Sequence, residues 1–316
     1  MTQSTKVINQ QRRKGARLLH RFRADWMLYA MLIPGLVYVI LFHYIPMYGV
    51  TYAFREFSAV KGLGDWVGLS VFQKLFAKNA FQRAFSNNIL ISVLKLVFGF
   101  PFPIILSLMI NEIRSSKAKK LVQTAVVLPN FISWFIITGL MFALFNVTSG
   151  AIPGIIRRLN PEATIVNITS DKNSIRALVV ASYVWQAAGM GTVVYLAAIT
   201  GIDQQLYEAA MIDGAGKWKQ MWHITLASLR PTIIVLFIFR VGGVMNAGFD
   251  QIYAMSNPLV ISKIDIIDTY VYRIGIEQAK FSEATAAGLA KSVIGLALVL
   301  TTNFIAKKVD PDSGIM

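Results

Sequence analysis

The sequence predicts an all-α membrane protein that crosses a bilayer several times. Hydrophobic residues make up 55% of the 316-residue chain and charged residues only 15%, whereas an average soluble domain has about 25% charged residues. The chain therefore lacks the polar residues that would coat a soluble fold of this size. Six apolar stretches are each about 20 residues long, the length of helix that crosses about 30 Å of hydrocarbon.

These stretches predict six transmembrane helices. Their approximate bounds are Met27–Tyr48, Ile89–Ile110, Leu121–Phe145, Ala177–Ile199, Leu229–Ala247 and Ala284–Ala306. Proline or glycine interrupts several of them, as at Pro129 and at Gly242 with Gly243. Transmembrane helices tolerate such residues where their surroundings satisfy the freed backbone groups. We therefore interpret these positions as kinks in continuous spans.

Lys and Arg are concentrated on one side of the predicted spans, which sets the orientation. Residues 1–26 contain seven Lys or Arg and a single acid, Asp25. Because such cations flank spans mainly on the cytoplasmic side, we place this end and, after six spans, residues 307–316 in the cytoplasm. The net charge of +15 then divides into +9 on the cytoplasmic side, +3 outside and +3 within the spans. It follows from membrane insertion and does not indicate nucleic acid as a partner.

The predicted organisation is a basic cytoplasmic segment (1–26), a six-span domain (27–306) and a cytoplasmic tail (307–316). In the first segment, apolar residues such as Leu18 and Phe22 fall on one side of a helix and arginines on the other. This pattern is typical of a helix lying on the inner membrane surface, although a basic tail without fixed structure explains it as well. The first span is too long for a signal peptide, and we expect it to be retained.

The 201–226 loop, between the fourth and fifth spans, has the composition of a docking element. Asp203 is placed to cap a short helix, which Gly214 then breaks. Apolar residues recur at helical spacing on both sides of the break and include Trp218 and Trp222. We expect two short helices at an angle, exposed to the cytoplasm. Two tryptophans on a free loop imply a protein that covers them.

The same loop resembles the EAA motif of permease subunits in binding-protein-dependent ABC importers. Glu208-Ala209-Ala210, Gly214 six residues after the glutamate, and the later Ile224 and Leu226 carry the resemblance, although Ala227 stands where the family has proline. The resemblance implies that the loop contains a coupling helix seated in a cleft of a cytoplasmic ATPase. The residues that it implies for contact with the ATPase are Glu208, Ala209, Ala210, Asp213, Gly214 and Ala215.

The resemblance extends over nearly the whole chain and is to carbohydrate permeases that import oligo- and polysaccharides, alginate importers among them. It rests on Ile45–Gly49, Trp66–Leu69, Asn111-Glu112, Leu128–Trp134, Asp265–Tyr270 and Ser282–Leu289. It implies the type I importer permease fold in a bacterial cytoplasmic membrane. The implied partners are a second similar permease, two ATPase subunits and an extracytoplasmic solute-binding protein. ATP and Mg²⁺ are expected on the ATPase, since this chain has no G-x-x-x-x-G-K-[ST] motif.

Three cations lie within the predicted spans, about 10 Å from their outer ends. For Lys95 and Lys291 we expect side chains that extend to the outer headgroups. We interpret Arg240 as lining the translocation path, because Gly243 and Ala247, three and seven residues later, leave space on its face of the helix. Its guanidinium suits the carboxylate of an acidic sugar. Extension to the headgroups is the alternative for Arg240 as well.

Aromatic and amide side chains on the same path are weaker candidates for contact with a sugar. They are Trp185, Gln186, Asn246, Asn130 and Trp134. Interfacial tryptophans and contacts between helices are the alternative explanation for them. The long outer loop from Thr51 to Asn88, with Trp66, Phe72 and Phe81, is a candidate landing surface for the binding protein, with ordinary packing as its alternative.

No catalytic or metal site is expected from the sequence. The three histidines, His20, His43 and His223, fall in separate regions, and the chain has no cysteine. We expect Asp265 and Asp268 to be solvated or to dock a partner. A gradient-driven secondary transporter would need acidic residues inside the spans, and the six stretches contain none. A permease of the same class for a different small solute stays open.

Overall fold

The computed structural model describes residues 25–58 and 62–309, almost entirely as helices. The predictions for the basic segment, residues 1–24, and for the end of the tail, residues 310–316, lie outside the described residues. The chain divides into two units, one ending at Tyr52 and the other beginning at Ala53.

The first unit contains the first predicted span as one helical run. It comprises α1 (Trp26–Val39), a π-helical turn (Ile40–Tyr44), α2 (Ile45–Met47) and a 3-10 turn that begins at Tyr48. Pro34 lies inside α1 without ending it, as expected of a tolerated proline in a span. None of the side chains of α1 is buried within the chain. Apolar side chains of this kind face hydrocarbon in a membrane-spanning helix.

The second unit contains the other long helices, which confirm the second, fourth and sixth predicted spans. The second span is α4 (Asn79–Gly99) followed by α5 (Pro101–Asn111). The helices of the fourth and sixth spans are α9 (Ile175–Thr200) and α16 (Phe281–Val309). Short elements precede and separate them: β1 (Arg55–Ser58), β2 (Gly62–Trp66), α3 (Ser70–Phe76) and α8 (Ala151–Leu159).

The third predicted span is not a kinked continuous helix, so our interpretation of Pro129 was wrong. The helix α6 (Ser116–Val127) and a 3-10 turn form a run to Phe131, which makes an angle of 102° with α7 (Trp134–Phe145). Proline has no N–H to continue the helix, and Ser133, in an extended conformation, begins α7 by accepting a hydrogen bond from the Ile136 N–H (3.4 Å).

The bent pair nevertheless joins the two ends of the bundle. At its start, Lys119 Nζ donates to Asn111 Oδ1 (3.1 Å) at the end of the second span. At its finish, Phe145 packs against the buried cluster around Ile175 and Ile252, at the end of the spans away from the 201–226 loop. We call this the distal end. Counting the bent pair as one span gives six spans in the described residues.

The fifth span ends earlier than predicted. It runs from α11 (Lys217–Gln220) through a π-helical turn (Met221–Thr225) into α12 (Leu226–Gly242). The chain then leaves the helix, and Gly248 adopts φ +95°, a conformation that favours glycine. Asn246 and Ala247 thus lie in a non-helical connection, and the argument that Ala247 follows Arg240 on one helical face was wrong. The short helices α13 (Phe249–Met255), α14 (Ile261–Ile264) and α15 (Ile267–Tyr272) follow.

Packing at the distal end accounts for most of the aromatic residues considered as a landing surface. Phe81 is buried, and Phe72 packs against the same cluster. Trp66 is exposed and stacks on Phe54, with ring centroids 5.4 Å apart. Ordinary packing is therefore the correct explanation for Phe81 and Phe72, whereas Trp66 remains available at the surface.

Asp265 is buried, so the expectation that it is solvated was wrong, whereas Asp268 is partly exposed. Asp265 is 7% exposed, accepts hydrogen bonds from Thr269 Oγ1 (2.8 Å) and Arg273 Nη1 (3.1 Å), and raises the pKa of the Arg273 guanidinium by hydrogen bonding to it. Lys291 Nζ donates to Asp268 Oδ1 at 2.6 Å. Lys291 is thus held by an acid of the chain and does not extend freely to headgroups, so that expectation was also wrong.

Gly189 allows α9 to approach α6 closely, and alanine there is expected to destabilise the protein. A Cβ at position 189 would lie 2.5 Å from the Cα of Val127, which forces the backbones apart at a cost of roughly 1–3 kcal/mol. Thermal unfolding of the purified protein in detergent measures this loss. Gly139→Ala on α7 is the control, because nothing lies within 4 Å of a Cβ there. Equal midpoints for the two variants would contradict the close approach.

Candidate functional site

The first half of the 201–226 loop forms the helix that the sequence predicts. Asp203 caps α10 (Gln204–Ile212), since its Oδ1 accepts from the Gln205 N–H at 2.9 Å. After the helix, Gly214 adopts φ +76°, and the Ala215 N–H returns to the Ala210 carbonyl at 2.8 Å. This is a helix end that needs a left-handed residue. The capping and breaking roles assigned from sequence are confirmed.

The second half of the loop is not a separate short helix. It is the continuous extension of the fifth span, so a movement of the loop is also a movement of that span. Two hydrogen bonds tie the first half of the loop to this extension. Tyr207 Oη lies 2.9 Å from Thr225 Oγ1, and the buried Gln220 donates its Nε2 to the Ala215 carbonyl at 2.8 Å.

The loop presents an apolar surface that no described residue covers. Ile212 is 87% and Trp218 is 74% exposed. Glu208 and Ala209 are exposed, and Ala210 is half-buried. The predicted exposure of both tryptophans is confirmed, since Trp222 is exposed as well; Leu206 and Met211 add to the same surface. Contiguous apolar side chains of this kind mark a protein-binding face.

Four of the six candidate substrate residues line one cavity, of about 200 Å³, in the distal half of the bundle. It lies between α4, α7, α9, α12 and the connection after Gly242. The four are Arg240, Asn246, Gln186 and Trp134. The cavity is also lined by residues that the sequence analysis did not propose for substrate contact: Ser92, Lys95, Tyr183 and Gln251.

The other two candidates lie elsewhere. Trp185 lines a different groove of about 850 Å³, which is almost wholly apolar. Asn130 is not part of the cavity lining; its backbone carbonyl is 3.5 Å from the Gln186 Nε2. The structure therefore brings together the charged and amide candidates but separates Trp185 from them.

Lys95 is buried in the protein, so the expectation that it reaches the headgroups was wrong. It is 6% exposed and donates hydrogen bonds to the Ala247 carbonyl (2.6 Å) and to Gln251 Oε1. Its Nζ also lies 4.6 Å from the centre of the Tyr183 ring. The same ring is 5.3 Å from Arg240 Cζ. Two cations thus share one aromatic ring, a favourable contact for each.

The polar face of α4 could have been found from sequence. Asn88, Ser92 and Lys95 are spaced four and three residues apart in an otherwise apolar stretch, which places them on one side of a helix. Asn88 and Lys95 both donate to carbonyls of the connection after Gly242, those of Met245 and Ala247. Gln251 gave no comparable signal, because its partners lie on distant parts of the chain.

Comparison with known proteins identifies similar chains. Residues 99–314 match the family described as binding-protein-dependent transport system inner membrane component. Protein LplB of Bacillus subtilis (strain 168) is 42% identical over 95% of this chain and 94% of its own length. The polygalacturonan/rhamnogalacturonan transport system permease protein YteP of the same organism is 40% identical over 96% of this chain and 94% of its own.

A solved structure is similar over nearly the whole fold. It is that of a bacterial ABC transporter involved in the import of the acidic polysaccharide alginate. The TM-score is 0.86 at 37% identity, covering 93% of this chain and 99% of the other.

Removal of the Asp203 cap is expected to loosen α10 without unfolding the spans. Asp203→Ala takes away the acceptor for the Gln205 N–H, and such a loss costs about 1 kcal/mol. Hydrogen exchange of the amides in residues 204–212 should become about fivefold faster. Asp213→Ala is the matched control, because the Asp213 side chain caps no N–H and an acid at a helix C-terminus is unfavourable. Faster exchange in both variants would contradict the assigned cap.

Proposed function

Because the chain belongs to the family of binding-protein-dependent transport system inner membrane components, we propose that it is the permease subunit of an ATP-driven importer for oligo- or polysaccharides. The likeness to YteP and to the alginate importer supports a saccharide as the substrate. The protein is an inner-membrane component with several membrane-spanning helices.

The observation that carries this function is the form of the 201–226 loop. A capped helix ends at a left-handed glycine, exposes apolar side chains and is bonded to the extension of the fifth span. A cytoplasmic ATPase seated on α10 would bury Ile212 and Trp218. Since α11 and α12 are continuous through a π-helical turn, opening and closing of the ATPase would displace the fifth span directly.

The role of permease subunit in an ATP-driven importer also implies the other subunits of the complex. A second similar permease completes the channel, two ATPase subunits hold ATP and Mg²⁺, and a solute-binding protein delivers the saccharide from outside. This chain contributes no hydrolytic residue. The predicted orientation, with both termini in the cytoplasm, places the 201–226 loop on the side of the ATPase. The ion pair between Lys217 and Glu112 (3.9 Å) agrees with it, because it joins two segments predicted on that side.

An acidic saccharide is the substrate that the cavity favours. Arg240 lies on its wall and forms no hydrogen bond or ion pair with any described residue, so its guanidinium is free for a carboxylate. Asn246 and Gln186 add amide groups that suit hydroxyls. A gradient-driven transporter is less well supported, since the six predicted apolar stretches contain no acidic residue to carry the coupling ion.

Charge placed on the apolar face of α10 is expected to release the ATPase. Ile212→Asp replaces a side chain whose burial would contribute about 1.5–3 kcal/mol, so ATPase binding should weaken about tenfold or more. Co-purification of the ATPase with the permease in detergent measures this. Leu159→Asp is the matched control, because Leu159 is 82% exposed on α8 at the distal end. Equal ATPase recovery with both variants would exclude α10 as the docking helix.

Arg240→Gln is expected to lower the uptake of a uronate oligosaccharide about tenfold. Hydrogen bonds to a charged partner contribute roughly 1.5–3 kcal/mol, and glutamine keeps the polarity while removing the charge. The measurement is uptake by proteoliposomes that contain the complete importer and its binding protein. ATP hydrolysis without saccharide should stay unchanged, since α10 is untouched. Unaltered uronate uptake would remove Arg240 from the path.

A further inference from the structure

Lys95 and Arg240 form a pair of cations that no described acidic residue neutralises. Both lie against the Tyr183 ring, and the acceptors of Lys95 are a carbonyl and an amide, which carry no charge. The lining of the cavity contains neither Asp nor Glu. Charges within a membrane are expensive, and two of the same sign close together repel each other. The positive charge of this pair is therefore not balanced by any acidic residue of the described chain.

Lys291, the third cation within the predicted spans, is neutralised by an acidic residue of the chain. Lys291 Nζ lies 2.6 Å from the Asp268 carboxylate. Arg273, outside the spans, is likewise paired with Asp265. The lack of an acid beside Lys95 and Arg240 contrasts with these two pairs.

A buried hydroxyl at the same cavity also lacks a partner. Ser92 is 6% exposed, lines the cavity, and its Oγ has no hydrogen bond. Buried polar atoms in native proteins are normally paired. An unpaired hydroxyl on the helix that carries Lys95, one turn before it, is therefore a second and independent sign of a missing ligand.

We infer that Lys95, Arg240 and Ser92 bind one carboxylate group of the transported saccharide. The planar guanidinium can donate two parallel hydrogen bonds to a carboxylate, Lys95 supplies the second charge, and the Ser92 hydroxyl can donate a further bond. The site rests on the proposed saccharide import and makes it specific for uronate units. At about 200 Å³ it is smaller than the roughly 300–1,000 Å³ of pockets that enclose drug-sized ligands, so it takes one acidic sugar unit of a chain.

Lys95 is held rigidly in place for this role. Gln251, which accepts from Lys95, donates its own Nε2 to the Val179 carbonyl (2.7 Å) and to Ser182 Oγ (2.9 Å) on α9. A Cβ at Gly248 would lie 3.2 Å from Lys95 Nζ, so the connection also closes over the ammonium group. A cation fixed before the ligand arrives loses little side-chain freedom on binding.

Ser92→Asp provides the sharpest test, because it puts a carboxylate of the chain itself into the site. The complete importer, in nanodiscs and without its binding protein, is assayed for binding of a uronate trisaccharide and of the same trisaccharide with its carboxyl groups reduced to alcohols. We expect Ser92→Asp to raise the midpoint of thermal unfolding and to weaken uronate binding at least about tenfold. Binding of the reduced trisaccharide should change little.

Two further variants separate ligand binding from folding. Ser92→Ala breaks no hydrogen bond of the chain and should keep the unfolding midpoint while weakening uronate binding severalfold. Arg240→Gln breaks no hydrogen bond with any described residue and should weaken uronate binding about tenfold but not binding of the reduced trisaccharide. Lys291→Gln is the matched control, since it also removes a cation from a span and should leave uronate binding intact.

The outcomes distinguish this site from the proposed function. Equal loss of both trisaccharides in Arg240→Gln, or wild-type uronate binding in Ser92→Asp, overturns the carboxylate site. Uronate binding that falls as much in Lys291→Gln as in Arg240→Gln overturns it too. Failure of the proposed function would look different: no saccharide-loaded binding protein would stimulate ATP hydrolysis by the wild-type importer.

Discussion

The ammonium group of Lys95 is the interaction on which the distal half of the bundle depends. It bonds the Ala247 carbonyl and Gln251, and Gln251 in turn bonds α9. A backbone that leaves its helix at membrane depth must find partners within the protein, because lipid supplies none. Lys95 supplies one for the connection after Gly242. The end of the fifth span, the position of α13 and the walls of the cavity follow from this arrangement.

At the other end of the fifth span, the helix continues without a break into the 201–226 loop. The extension of the span into the 201–226 loop stays helical from α11 through a π-helical turn to α12, and α10 is bonded to it on one side. A docking surface and a wall of the cavity are therefore parts of one helical run, since Arg240 lies near its distal end. This is the physical basis for transmission between an ATPase and the substrate path in the function that we propose.

Three groups of cations in the chain have different physical roles. Those at the predicted cytoplasmic side set the orientation and need no partner in the protein. Lys291 and Arg273 are paired with acids and tie the last span and the short distal helices together. Lys95 is buried without an acidic partner, a costly position, and the exposed Arg240 beside it likewise has no acidic partner among the described residues. This contrast within one chain, more than its net charge, is what points to an anionic ligand.

The features that depend on neighbours along the chain could be predicted from the sequence. Five of the six spans, the Asp203 cap, the Gly214 turn and the exposed tryptophans all follow from local composition and spacing, because helix length, capping and left-handed glycine act within a few residues. Long-range packing set the 102° bend after Phe131, the early end of the fifth span and whether each buried charge is paired with an acid. Asp268 and Lys291 are 23 residues apart, and Lys95 and Gln251 are 156 apart. Whether a buried charge is neutralised depends on which distant groups the fold brings to it, and no local pattern contains that information.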